Sequence, residues 1–417
     1  MSAITPINKI FNNNLSVYVV GLLLATLMLD YGFGSFSLVL LVFYSLFKFF
    51  TKNNNEVFFD YKLTFPVLLF LWFSVTYFWT IDKSLTLKGI GRISALFLVP
   101  FAFCFLPKFT RLEFFKILKA YTVVNFFLGI VFVITSLIRF LESRKLTEFT
   151  YHDLVSSFNL NAIYVSVFFS LSFFYLFLKP KKRIYEIVFL IFFLMMIVLL
   201  SSKTIIFCLL IGIIFIGWKK VKNRTPKLVE IVLTFLVICL IALLATKEIT
   251  KRVNEEFVIN SDEKTNLLQV LEKDKFSQVY PWTGTSIRLF QLRLLKEQIE
   301  TEHVFLNGFG LFASRIDLKK RHEQYGTYKG YHIYNYHNCY AQVLSETGII
   351  GLLLFLFLLS SNIVFALKSN NLLFVFFSFV APVWSFTESF LWVQRGIFFF
   401  IIFYCLFNRT EFYENKE

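Results

Sequence analysis

Apolar runs recur along this chain, and no other feature restricts its fold so tightly. "LSVYVVGLLLATLML" (15–29) and "IVFLIFFLMMIVLL" (187–200) are two of them. A membrane-crossing helix needs roughly 20 largely apolar residues. By that rule spans fall near 15–31, 34–50, 63–80, 88–106, 114–138, 158–178, 184–201, 203–218, 228–246, 348–367, 371–386 and 390–407. Of the 417 residues 57% are hydrophobic, and 58 are Phe. A soluble fold of this size could not hide that much apolar surface, so lipid must cover it. In hydrocarbon each backbone N–H and C=O must be paired within the protein, which helices achieve segment by segment. The sequence therefore predicts an all-α polytopic membrane protein of about twelve transmembrane helices. The run at 15–29 lacks a small-residue cleavage site and reads as a retained signal-anchor helix. Only the Asp30-Tyr31-Gly32 turn parts the first two spans, so a re-entrant pair is an alternative there.

The net charge of +15 could suggest a nucleic-acid partner, but the basic residues stand in short clusters between apolar runs. With alternating spans, one side of the membrane receives Lys48 and Lys52; Lys108, Arg111 and Lys116; Lys179, Lys181, Lys182 and Arg183; Lys219, Lys220, Lys222, Arg224 and Lys227; and Lys368. Lys9 and Arg409 put both termini on that side too. Short basic loops stay cytoplasmic, so this side is inside. The expected organisation is a membrane domain over 1–246, a large outward-facing loop over 247–347 between the ninth and tenth spans, and C-terminal helices over 348–417. A loop of that length is expected to carry function. Cytosolic nucleotide donors are absent outside, so group transfer there needs an activated donor already in the membrane. Cys104, Cys208, Cys239 and Cys405 lie in apolar runs and Cys339 has no loop partner, which leaves neither a disulfide framework nor a zinc pattern.

Within the large loop, "WTGTSIRLFQLRLLKEQIETE" (282–302) sets Ile287, Phe290, Leu294, Leu295 and Ile299 at helical spacing, with Thr285 or Ser286 as cap. Arg288 then falls in the first turn, where a cation opposes the helix dipole unless an anion binds there. A guanidinium snorkelling to lipid headgroups is the alternative. In "FLNGFGLF" (305–312), Gly308 and Gly310 suit a tight turn. In "YNYHNCYAQVLSETGIIGLLL" (334–354), Asn338 can cap a short helix over 339–347 that Gly348 breaks before the next span. His337 then stands just before a helix start at the membrane surface. A lone His is otherwise an ordinary packed or solvated residue, and His152, His303, His322 and His332 show that the outer loops accept it elsewhere.

"TGTSIRLFQLRLLKEQI", "NGFGLF" and "YHNCYAQVLSETGIIGLLLF", in this order, resemble the O-antigen ligase/polymerase superfamily of bacterial surface-polysaccharide assembly. The resemblance covers the chain in topology and about 284–351 in specific motifs. It implies a GT-C-like, metal-independent, inverting glycosyltransferase of the inner membrane, without cofactor. Its partners would be an undecaprenyl-diphosphate-linked glycan donor, a saccharide acceptor (lipid A-core or a lipid-linked repeat unit) and membrane lipids. By position, Arg288 matches the arginine that binds the donor diphosphate, and His337 the histidine that activates the acceptor hydroxyl. The family's second outer arginine is Lys203 here, which keeps the charge and loses the bidentate fork. Asn338, Tyr340, Glu346, Gly308, Gly310, Glu388 and Arg395 are supporting or sugar-site candidates. Glu346, Asp317 and Glu388 could each orient His337, and a mutual ion pair is the plainer reading of Glu388 and Arg395. The segment 151–164 could line the acceptor entrance.

A flippase or another transporter is the competing class. Such proteins show inverted repeats and broken helices at mid-membrane; here no repeat is found and the polar chemistry gathers in one outer loop.

Overall fold

The computed structural model describes residues 5–51, 57–222, 267–276, 282–302 and 304–412. The chain is almost wholly helical there, as expected. Each predicted span except 228–246, which lies outside the described residues, contains a helix. By length and apolarity, 5 helices among the described residues can cross a membrane: Tyr31–Thr51, Tyr61–Phe78, Lys83–Cys104, Arg111–Ser143 and Cys339–Lys368. The other apolar helices are shorter, for instance Ala162–Leu178, Ile184–Leu199 and Gln394–Asn408. The reason is local. Predicted spans at 158–178 and 390–407 begin in residues that the chain spends on turns. Asn161 caps the helix from Ala162, accepting from the Ile163 N–H at 2.8 Å, and Phe390–Trp392 is a short 3-10 turn.

At one end of the bundle the segments predicted to be inside meet. Phe109 and Thr110 pair in parallel with Thr410 and Glu411, and Lys108 lies 3.7 Å from Glu411. The other end carries the large loop. The loop helix Gly284–Thr301 buries Ile287, Phe290, Leu294 and Leu295 against Trp282, Leu318, Tyr331 and Tyr336, with Ile299 at the edge. The predicted face is the observed one. The start differs: Thr283, not Thr285 or Ser286, is the cap, accepting from the Ser286 N–H at 3.1 Å. Arg288 consequently stands beyond the first turn and donates back to the Gly284 carbonyl at 2.9 Å.

The Gly-x-Gly turn is a clamp. The Phe309 and Gly310 N–H groups donate to the Ser345 and Glu346 carbonyls, each at 2.9 Å. Gly308 and Gly310 have φ of +69° and +97°, and a Cβ on Gly308 would lie 2.3 Å from the Glu346 carbonyl carbon. The helix that it grips runs from Cys339, breaks at Gly348 (φ 68°, ψ −172°) as the sequence predicts, and continues to Lys368.

Two outcomes follow from this packing. A Cβ at Gly348 would sit 1.9 Å from the Leu306 carbonyl oxygen in a left-handed backbone. Gly348→Ala is therefore expected to lose at least about 2 kcal/mol, read as a lower thermal midpoint of the purified protein in detergent. His322 is fully buried and its Nε2 is 3.0 Å from the Gln291 amide nitrogen, a donor. Desolvation holds its pKa down at about 3. The unfolded chain then takes up the proton first as pH falls, so this contribution is complete above about 6.5 and declines towards the folded value. Between pH 7 and 5 the loss is about 2 kcal/mol. A His322→Gln variant, whatever its own stability, should lack that acid slope in melting curves.

Candidate functional site

A cavity of about 460 Å³ opens where the Lys203–Lys222 and Gly284–Thr301 helices begin. Ser201 to Thr204 line one wall, Thr283 to Thr285 and Arg288 the other, and Tyr151, Ile163 and Thr387 complete it. Two helix N-termini, hydroxyl groups, a Lys and an Arg facing one space suit an anion. Backbone N–H groups at a helix start carry partial positive charge, and the two side chains add full charges. The structure thus brings Lys203 and Arg288 to a single cavity although 85 positions separate them (288 − 203).

Arg288 is held from three directions. Besides the Gly284 carbonyl, it donates through Nε to the Thr387 carbonyl at 3.1 Å, and its Nη2 meets Glu388 Oε1 at 3.3 Å. That same Glu388 oxygen lies 3.6 Å from His337 Nδ1. The carboxylate is 5% exposed, so little solvent weakens its field at either side chain. At 3.6 Å the His contact is electrostatic rather than a hydrogen bond. His337 Nδ1 is buried with no hydrogen-bond partner. His337 sits in the left-handed region (φ 46°), an unusual conformation for a non-glycine residue, and its N–H donates to Asn335 Oδ1 at 2.8 Å. Its ring meets that of Tyr334 edge-on at 5.2 Å.

Asn338 caps the short helix as expected, its Oδ1 accepting from the Ala341 N–H at 3.0 Å. It also ties this helix to the segment bearing Glu388, donating from its N–H to Ser389 Oγ at 3.2 Å and from Nδ2 to the Phe386 carbonyl at 3.3 Å. Tyr340 donates to the Pro382 carbonyl at 2.9 Å, which gives it a packing partner rather than an open face. Glu346 is fully enclosed and accepts four hydrogen bonds, from the Phe312 N–H (2.5 Å), Ser314 Oγ (2.7 Å), Gln342 Nε2 (2.6 Å) and Trp392 Nε1 (2.7 Å). Asp317 is taken by Gln298 and by Arg321, each at 2.7 Å. Of the three carboxylates considered for His337, only Glu388 stands beside it.

The expected Glu388–Arg395 pair is not formed. Arg395 donates to the Leu29 carbonyl at 3.0 Å and lies 4.3 Å from the Tyr31 ring centroid. Between the two residues the chain makes the Phe390–Trp392 turn, so no continuous helix face joins them. Sequence reasoning missed the Thr283, Ser201, Ser202 and Thr387 contributions. Hydroxyl residues near helix starts were the available signal for the first three, and none existed for a carbonyl. Of the segment 151–164, expected at the acceptor entrance, Tyr151 and Ile163 line the cavity beside Arg288 and Lys203.

Residues 187–356 match the family model described as O-antigen ligase. Over that segment the chain is similar to the O-antigen ligase/polymerase superfamily. No curated protein matches it significantly. The match supports glycan transfer in a membrane for surface-polysaccharide assembly, on an inner-membrane protein. Lys203, Arg288, Gly308, Gly310, His337, Asn338, Tyr340 and Glu346 fall inside the matched segment, whereas Glu388 and Arg395 lie beyond it.

Removing the Glu346 carboxylate would leave the Phe312 N–H, Ser314 Oγ and Trp392 Nε1 without their acceptor, each worth about 1–3 kcal/mol. Glu346→Ala is expected to lose well over 3 kcal/mol by that reckoning. A melting temperature equal to that of the unmodified protein would refute this structural role.

Proposed function

We propose that the chain is an inverting glycosyltransferase that moves glycan from an undecaprenyl-diphosphate-linked donor to a saccharide acceptor, lipid A-core or a lipid-linked repeat unit. The observation that carries the reading is the single Glu388 oxygen between Arg288, at the anion-suited cavity, and His337. The donor diphosphate occupies the cavity between the two helix starts, held by Arg288 and Lys203. The acceptor hydroxyl oxygen attacks the anomeric carbon from the face opposite the diphosphate. As that bond forms, the anomeric C–O bond breaks and its electron pair leaves with the lipid diphosphate. The hydroxyl proton passes to His337 Nε2, since Nδ1 faces Glu388. Glu388 stabilises the resulting imidazolium. Charge growing on the leaving diphosphate is met by Arg288 and Lys203, the kind of stabilisation that lowers a barrier most in a partly desolvated site. The step needs no metal and no cofactor.

Both termini are cytoplasmic and the large loop is periplasmic in this reading, which the clustering of basic segments at the opposite end supports. A periplasm-active reporter fused after residue 260 should then be active, and one fused after 222 silent.

Transfer of lipid-linked glycan in membranes, with each variant's amount measured, tests the assignments. Arg288→Ala should lower turnover about 100- to 1000-fold, the usual cost of losing one such donor, with Arg288→Lys a poor rescue for want of the planar fork. Lys203→Arg should be tolerated. His337→Gln should be nearly inactive, because glutamine hydrogen-bonds without acting as a base near neutral pH. Full turnover in His337→Gln would remove the base from the mechanism, and full turnover in Arg288→Ala would reduce that residue to a headgroup anchor. Chelator should leave transfer intact.

A further inference from the structure

Two adjoining cavities, of about 880 and 700 Å³, lie at the end of the bundle remote from Arg288 and share Arg111, Leu112, Ser369 and Phe412. Lys62, Lys108, Arg111 and Lys368 line the larger one, and Lys179 the smaller. The floor is aromatic, with Phe374 and Phe407 in the first and Phe115 and Tyr175 in the second. From Gly348 to Lys368 the intervening helix rises roughly 30 Å at 1.5 Å per residue, the thickness of a hydrocarbon core. If the Arg288 cavity marks one boundary of the membrane, these cavities mark the other.

The carboxylates around the cavities are already engaged. Asp60 accepts from the Lys62 N–H at 3.0 Å, Glu113 closes a capping box with Thr110, Glu186 pairs with Lys179 at 2.5 Å, and Glu411 lies 3.7 Å from Lys108. Lys62 and Arg111 have no carboxylate at ion-pair distance among the described residues; their ammonium and guanidinium lie over the Phe365 and Phe115 rings at 5.1 and 5.7 Å. Beside them Leu112 is 75% exposed and Tyr61 57%, apolar surface that suits an acyl chain. Cations over an aromatic floor, at the depth of headgroups and flanked by outward apolar side chains, match an amphiphile with a negative head.

We infer that this pair of cavities is a binding site for an anionic phospholipid, with Lys62 and Arg111 as its phosphate ligands. Because the cavities adjoin at Arg111, a lipid with two phosphates binds more tightly than one with a single phosphate. The site is separate from glycan transfer and does not rest on that reading.

Native mass spectrometry of the full chain in detergent tests it, with diphosphatidylglycerol, phosphatidylglycerol, phosphatidylethanolamine or tail-free glycerol phosphate added. Affinity should fall in that order. Lys62→Ala combined with Arg111→Ala should weaken diphosphatidylglycerol binding roughly thirtyfold, about fivefold for each cation, with an unchanged melting temperature before lipid is added. Lys62→Arg with Arg111→Lys should retain binding, and the exposed loop pair Lys296→Ala with Lys319→Ala should not alter it. Equal uptake of phosphatidylethanolamine, or undiminished binding by the alanine pair, would overturn the site. Glycerol phosphate binding as tightly as the lipids would also overturn it, by making the occupant a soluble anion.

Discussion

The enclosed carboxylate of Glu346 joins parts of the chain that have no other reason to meet. Each of its oxygens takes two donors: Ser314 and Gln342 on one, the Phe312 N–H and Trp392 on the other. Those donors come from the turn after Gly310, from the short helix that Asn338 caps, and from the segment that follows Glu388. A buried acceptor with that many partners is strongly directional, because every donor left over would carry its full desolvation cost. Once it is satisfied, His337 on the helix side and Glu388 on the other side have little freedom to separate. The glycines complete the arrangement by letting backbone approach backbone where any Cβ would collide.

The two ends of the bundle use positive charge differently. Around Arg288, cations face helix starts, hydroxyl groups and a nearly buried carboxylate, so the surroundings define both geometry and field. Around Arg111, cations face aromatic rings and outward apolar side chains, surroundings that impose no single pose. A net charge of +15 says nothing of this division. It emerges only when the chain is folded into a barrier-spanning bundle with two chemically distinct faces.

Much of this was legible in the sequence wherever the controlling physics is local. The apolar stripe of 284–301, the Asn338 cap and the break at Gly348 all depend on neighbours a few residues apart, and each is found as expected. The cap of the loop helix differs from the expected one because Thr283, Thr285 and Ser286 are all competent by residue type, and Thr283 is the one that accepts a backbone N–H. The partner of Glu388 was misjudged for a different reason. Arg395 is seven residues away (395 − 388), two turns of an ideal helix, whereas Arg288 is 100 away; the turn at Phe390–Trp392 cancels the near relation and the fold creates the far one. Span counting by apolar windows found a helix in each window among the described residues, and several of these helices are shorter than their windows because capping and turn residues take a share.

One carboxylate oxygen standing between a guanidinium and an imidazole acts as an interlock. Glu388 Oε1 is 3.3 Å from the guanidinium of Arg288 and 3.6 Å from the imidazole of His337. Any anion that draws the guanidinium towards the cavity weakens the first contact and leaves the carboxylate's field to the second. On the proposed reading, order of arrival then matters: an anion in the cavity leaves Glu388 to orient the His337 ring, whereas a hydroxyl group that comes first meets a ring whose neighbour is still shared with Arg288.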